Sequence, residues 1–185
     1  LILVGLAFKI SMVPFHMWTP DVYEGAPLPV TALLSVGPKA AGLALLWRLA
    51  QTLEPAWGAI APALVWLAIV TMTLGNVVAV VQHNVKRLLA YSTIGQVGYL
   101  LIGFVVQTEL GMQGLLVYLV AYLFMNLGAF ACVTAVCEDA KSPARPESRG
   151  AGGESLEAFR GLAHRSPGLA LALAVFLLSL AGIPP

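Results

Sequence analysis

The sequence predicts an all-α fold: a polytopic transmembrane helix bundle of about six spans, with broken helices at Pro14 and after Gly182. Three observations carry that expectation. Of the 185 residues, 59% are hydrophobic and 10% charged, and the mean hydropathy is +0.86. A soluble domain sits nearer ~45–50% apolar and ~25% charged. Uncharged runs at residues 55–82, 88–108, 110–137 and 166–185 each reach the roughly 20 residues that a helix needs to cross a ~30 Å hydrocarbon layer. Prolines inside or at the end of apolar runs mark where a helix must kink or stop.

In chain order, the first helix is expected over residues 1–23, broken near Pro14 and followed by a turn at residues 24–29, EGAPLP. Further helices are expected over residues 30–49, 59–81, 88–106, 113–136 and 167–183. The loops alternate sides. Lys86, Arg87, Lys141, Arg145, Arg149, Arg160 and Arg165 fall on one side and Arg48 on the other, so the positive-inside rule places residues 138–166 in the cytoplasm. That loop contains SPARPESRGAGGES, too rich in Pro, Gly, Ser and charge to bury a core, and expected to be flexible. Leu156, Phe159, Leu162 and Ala163 then recur at helical spacing and predict a short interfacial helix. The sequence shows no internal repeat and no GxxxG pair, so packing is expected to rely on scattered Gly, Ala, Ser and Thr. The whole of 1–185 reads as one membrane domain. It starts with Leu inside an apolar run and stops at LSLAGIPP, which suggests an internal piece of a longer protein.

Three function classes recede: nucleic-acid binding, metal ligation and covalent catalysis. Lys86-Arg87 is the only adjacent basic pair and ends a hydrophobic run, which fits a topogenic role and not nucleic-acid binding. Cys132 and Cys137 lie five apart on one predicted helix, a spacing that neither faces them together nor matches metal ligation. No phosphate-cradling loop or nucleophile–base pair is present.

What remains is a set of charges in apolar surroundings. Lys39 is the only charged residue between positions 25 and 47, and Lys9 lies between LILVGLAF and ISMVPF. A lysine at the bilayer centre costs on the order of 2.5–3.5 kcal/mol, so such residues are rare and usually serve ion or proton pathways. The alternative is snorkelling, with the ammonium in the headgroups. For Lys39 that is strained, because about 12 Å of helix separates it from Arg48. Lys9 precedes Pro14, and Lys39 directly follows Pro38. Broken helices expose carbonyls where transporters hold ions. His16, just past Pro14, titrates in a range suited to proton exchange, or simply hydrogen-bonds a helix end. Asp21 and Glu24 are either a proton-collecting mouth or ordinary helix-end charges. Tyr91, Ser92, Thr93, Gln96 and Tyr99 form a polar stripe that is either inter-helix glue or a hydrated proton path.

The segment FKISMVPFHMWTPDVYEGAPLPVTALLSVGPKAAGLALLWRL resembles the antiporter-like membrane subunits of respiratory complex I, and WTPDVYEGAP is most similar to those of the subunit-N type. GNVVAVVQHNVKRLLAYSTIGQVGYLLIGF and GLAHRSPGLALALAVFLLSLAGIPP agree in the same order, leaving only residues 138–158 outside the resemblance. It implies that the helices correspond to the seventh through twelfth of a fourteen-helix subunit. Proton-translocating roles then fall on Lys9, Lys39 and His16, with a carboxylate partner for Lys9 on an earlier helix and a third lysine just beyond Pro185. Gln96 departs from the family pattern: many relatives carry histidine after AYSxI, and glutamine cannot titrate. The resemblance further implies a translocase subunit that binds no cofactor itself. NADH, FMN, iron–sulfur clusters and quinone are expected elsewhere in the complex. Expected partners are the other complex I membrane subunits and lipid, in a bacterial inner (plasma) membrane, with protons as the transported species. A subunit of a multi-subunit cation/proton antiporter, or a non-pumping scaffold for redox subunits, are the alternatives.

Overall fold

Residues 1–141 and 153–182 are described by a computed structural model, in which the helices follow in the order α1 (Ile2–Ile10), α2 (Trp18–Gly25), α3 (Leu28–Thr52), α4 (Trp57–Val80), α5 (Val85–Val105), α6 (Glu109–Lys141), α7 (Leu162–Arg165) and α8 (Pro167–Leu180). Short 3-10 turns occupy Glu54–Ala56 and Leu156–Phe159. No strand occurs among the described residues. Four helices, α3 to α6, have the length and hydropathy to cross a membrane as unbroken rods. The other two expected spans differ. The first is split into α1 and α2, of 9 and 8 residues. The last, α8, has 14 residues, about 21 Å of helix. It stops at Leu180, just short of Gly182, which takes a left-handed φ of 87°.

Local chemistry explains the boundaries. Asn84 caps α5: its side chain accepts from the backbone N–H of Lys86 at 2.8 Å and of Arg87 at 3.4 Å, filling donors that the helix leaves open. Pro27 precedes α3 and Pro167 opens α8, where a missing N–H does no harm. The α4–α5 pair closes on single small residues, not on a GxxxG motif. A Cβ placed on Gly75 would lie 2.5 Å from the backbone nitrogen of Gly95, so the two backbones touch there, as small residues permit in membranes.

The core has two centres. One gathers Tyr23, Leu89, Tyr122, Phe130 and Val133 from α2, α5 and α6. The other gathers Ile10, Leu43, Leu46, Leu101 and Phe104, with Trp47 and Trp57 edge-on to Phe104 at 6.2 and 5.5 Å. The site described below lies beside the first.

At one end of the bundle, Arg87 pairs with Asp21 at 2.8 Å and Glu24 at 2.6 Å, and Lys86 with Glu154 at 2.6 Å. A backbone bridge joins Asn84 to Ser155. The turn after α2, the start of α5 and the segment before α7 therefore share one end, as the alternation of loops requires. The expected interfacial helix is two short pieces, Leu156–Phe159 and Leu162–Arg165. Most of the stretch expected to be flexible, together with Arg145 and Arg149 of the charge tally, lies outside the described residues, as do residues 183–185.

Candidate functional site

The split between α1 and α2 is wider than a proline kink. Ser11 ends α1 in a left-handed conformation, φ 65°, and Val13-Pro14 is a cis peptide. Backbone groups freed inside a membrane need partners from the protein, and neighbouring side chains supply them. Thr71 of α4 accepts from Val13 N–H at 3.2 Å. The Trp18 indole N–H donates to Phe8 O at 3.0 Å, with its ring 5.4 Å from that of Phe8. The Thr19 hydroxyl donates to Ser11 Oγ at 2.7 Å. The break is thereby built into the fold.

Lys39 sits against this break and is 0% exposed. It does not snorkel. Its Nζ donates to the Tyr23 phenol oxygen at 2.8 Å and to Leu34 O at 3.1 Å. The same atom lies 5.1 Å from the Tyr23 ring centroid and 5.6 Å from that of Trp18, within reach of a cation–π attraction. Among the described residues none of the contacts on Nζ is an ion pair, and two of the groups around it come from α2. Pro38, directly before Lys39, removes one donor from α3, which leaves the Leu34 carbonyl, one turn back, to accept from the ammonium.

From this lysine a string of buried polar groups runs across the bundle. Thr93 of α5 lies beside the phenols of Tyr23 and Tyr122. Tyr122 donates to Ser35 O at 3.0 Å, and Asn126 donates to the Ser35 hydroxyl. Ser35, Thr93, Tyr122 and Asn126 are all buried. Tyr122 and Thr93 donate to the backbone carbonyls of Ser35 and Leu89, so the string as it stands ties α3, α5 and α6 together beside the lysine.

The residues expected from sequence are only partly brought together. Lys9 is exposed on the outer face of α1, and its ammonium makes no hydrogen bond or ion pair among the described residues. A Cβ on Gly42 of α3 would lie 3.8 Å from Lys9 Cγ and 2.4 Å from Ile10 Cγ2, so the stem of Lys9 passes one helical turn beyond Lys39. His16 is 6% exposed, with Nδ1 buried and making no hydrogen bond among the described residues. Asp21 and Glu24 are both held by Arg87 at the rim. The stripe on α5 divides. Gln96 is buried, donates to Leu180 O at 2.6 Å and accepts from the Tyr118 hydroxyl, tying α5 to α8 and α6. Tyr99, one turn on, is more exposed, and Asn76 of α4 donates to its hydroxyl at 2.7 Å. Tyr91 and Ser92 are half-buried. Sequence reasoning missed Trp18, Tyr23, Ser35, Tyr122 and Asn126. Of these, only Asn126, a lone amide in an apolar run, left a readable signal.

A bundle of apolar helices with a buried lysine at a helix break is the architecture of a multi-pass membrane protein that keeps a charge inside the hydrocarbon layer. The chain belongs to the NADH:quinone oxidoreductase/Mrp antiporter transmembrane family, whose model matches residues 1–185. It is 52% identical over 190 residues to NADH-quinone oxidoreductase subunit N 2 of Sorangium cellulosum, covering 99% of this chain and 36% of that protein. Among solved structures it is similar to a chain of respiratory complex I from Thermus thermophilus, at TM-score 0.69 and 37% identity over 100% of this chain and 38% of that one. It is also similar to a chain of the Mrp complex from Dietzia, at TM-score 0.84 and 26% identity over 100% of this chain and 32% of the other. The chain thus spans about a third of the length of its relatives.

Proposed function

We propose that this chain is the central membrane segment of a subunit-N-type component of a proton-pumping NADH:quinone oxidoreductase, in which Lys39 carries a proton across part of the bilayer. The observation that carries this reading is Lys39 itself, fully buried and held by a phenol and a carbonyl, with no carboxylate on Nζ among the described residues. A proton on an ammonium held by neutral groups can pass on without an ion pair having to be broken. Lys9, whose ammonium faces outward, is the second carrier and meets its partner on a helix outside this chain. His16 lies between the two on the connection from α1 to α2. Gln96 orients neighbouring groups without itself titrating.

Quinone reduction elsewhere in the complex would drive the cycle. Moving one charge against 100 mV costs about 2.3 kcal/mol, or roughly 1.7 pKa units at 1.36 kcal/mol each. An ion pair made and broken at Lys9 supplies a change of that size. On this reading the redox cofactors belong to other subunits, the partners are further membrane subunits and lipid, and the membrane is the bacterial inner membrane with residues 138–166 on the cytoplasmic side. Asp21 and Glu24, at that rim, are the proton-collecting mouth, and the α5 residues Tyr91, Ser92 and Tyr99 border the path.

The second reading, a cation/proton antiporter subunit, is favoured by the higher TM-score to the Mrp chain. The identity of 52% to a subunit N weighs more, because fold is shared across the family while sequence separates its branches. Purification of the full-length subunit from its native membrane tests the choice. Co-isolation with NADH-oxidising, quinone-reducing activity supports the first reading. Co-isolation only with sodium/proton exchange supports the second. A scaffold without a pumping role predicts that Lys39→Ala leaves proton movement intact.

A further inference from the structure

Lys86 reads from sequence as a topology signal at a loop, yet its side chain is 5% exposed. Its ammonium donates to Ala26 O at 2.9 Å and Glu24 O at 3.1 Å and pairs with Glu154 at 2.6 Å. Three parts of the chain remote in sequence thus meet on one cation. The two carbonyls belong to the last turn of α2 and the residue after it, next to Tyr23. The Thr31 hydroxyl lies over the same short stretch, 3.2 Å from Pro27 O, 3.3 Å from Tyr23 O and 3.4 Å from Ala26 O. Glu154 is fixed in turn by backbone pairing: Val85 N–H donates to Glu154 O at 2.9 Å, and Leu156 N–H to His83 O at 3.0 Å.

α2 is short and separated from α1 by an irregular segment, so its position depends on what grips its ends. At its far end that grip is Lys86, and just inside that end stands the phenol that holds Lys39. We propose that Lys86, together with Glu154, is a positioning residue for the Lys39 site: it anchors the end of α2 so that the Tyr23 hydroxyl stays on the Lys39 ammonium. This rests on the role of Lys39 proposed above. Arg87, one residue on, pairs with Asp21 and Glu24 through partly exposed side chains, and such pairs contribute little. The buried neighbour is the one that sets geometry.

The test is a double-mutant cycle in the full-length subunit, assembled in its complex and reconstituted into liposomes, with proton-pumping rate per assembled complex as readout. Displacement of a group by an ångström from a site it does not touch can cost as much as 100-fold. Lys86→Met is expected to slow pumping on the order of ten-fold, and Lys86→Arg to restore most of it. Added to Tyr23→Phe, Lys86→Met should change the rate by less than about two-fold, because residues acting through one another are not additive. Losses that multiply, or wild-type pumping by Lys86→Met, overturn the proposal. If Lys86→Met does not assemble, Lys86→Gln, a polar side chain too short to hold both carbonyls, takes its place in the cycle with the same two outcomes. Lys39→Ala in the same assay separates the layers. Wild-type pumping there sinks both readings, whereas loss there with independent Lys86 effects sinks the positioning role alone.

Discussion

Lys39 Nζ donates to the Tyr23 phenol oxygen at 2.8 Å, across the gap between α3 and the second half of a broken helix. This contact makes the environment of the buried charge depend on where α2 lies. α2, a helix piece of 8 residues, is held to α1 through Trp18 and to α5 at its far end, so what grips its ends sets the place of the phenol.

Tyr23→Phe keeps the ring beside the ammonium and removes only the hydroxyl. A hydrogen bond to a charged group is worth about 1.5–3 kcal/mol, so the balance between protonated and neutral Lys39 should shift by roughly ten-fold or more. Pumping by the assembled complex should fall accordingly, read as the rate of lumen acidification in vesicles. Tyr122→Phe should fall less, since that phenol donates to the Ser35 carbonyl and not to the ammonium.

Gln96 bridges three helices, and its replacement separates packing from proton transfer. Gln96→Leu leaves Leu180 O and the Tyr118 hydroxyl without their partner, and each buried group so orphaned costs about 1–3 kcal/mol. A lower melting temperature of the complex is expected. Gln96→His offers one donor and one acceptor again and should stay near wild type in a thermal-shift measurement.

Gly75→Val tests the α4–α5 contact. The new Cβ would meet Gly95 N at 2.5 Å and Tyr91 O at 2.9 Å, both backbone atoms that cannot rotate away. Overpacking of this kind costs about 1–3 kcal/mol, and the amount of subunit in the membrane, read by immunoblot, should drop. Gly58→Ala, at a glycine with open space around its missing Cβ, should leave it unchanged.

Much of the fold is legible in the sequence because a bilayer leaves few options. Long uncharged runs become helices, and α3 to α6 begin and end within a few residues of the expected positions, α6 alone running five residues beyond its expected end. Pro14 marks the break, but its width, from Ser11 to Met17, depends on partners such as Thr71 and Trp18 that no local pattern reveals. The buried state of Lys39 follows from its apolar neighbours. Tyr23 was hidden because it sits in a polar stretch, DVYEG, where a tyrosine reads as a helix end facing water. Lys86 reads only as a topology signal, because a lysine beside an arginine at a loop gives no hint of burial; packing against the end of α2 and against Glu154 buries the charge. Asp21 and Glu24 are pulled to Arg87, a contact spanning more than sixty positions, which sequence spacing cannot show.

The central claim is that the proton moves through Lys39. The most direct measurement is the number of protons translocated per electron by the full-length subunit carrying Lys39→Ala, assembled in its complex in sealed liposomes and compared with wild type at equal complex content. Translocation is expected to collapse while the assembled complex persists. Unchanged proton translocation by the Lys39→Ala complex would contradict it.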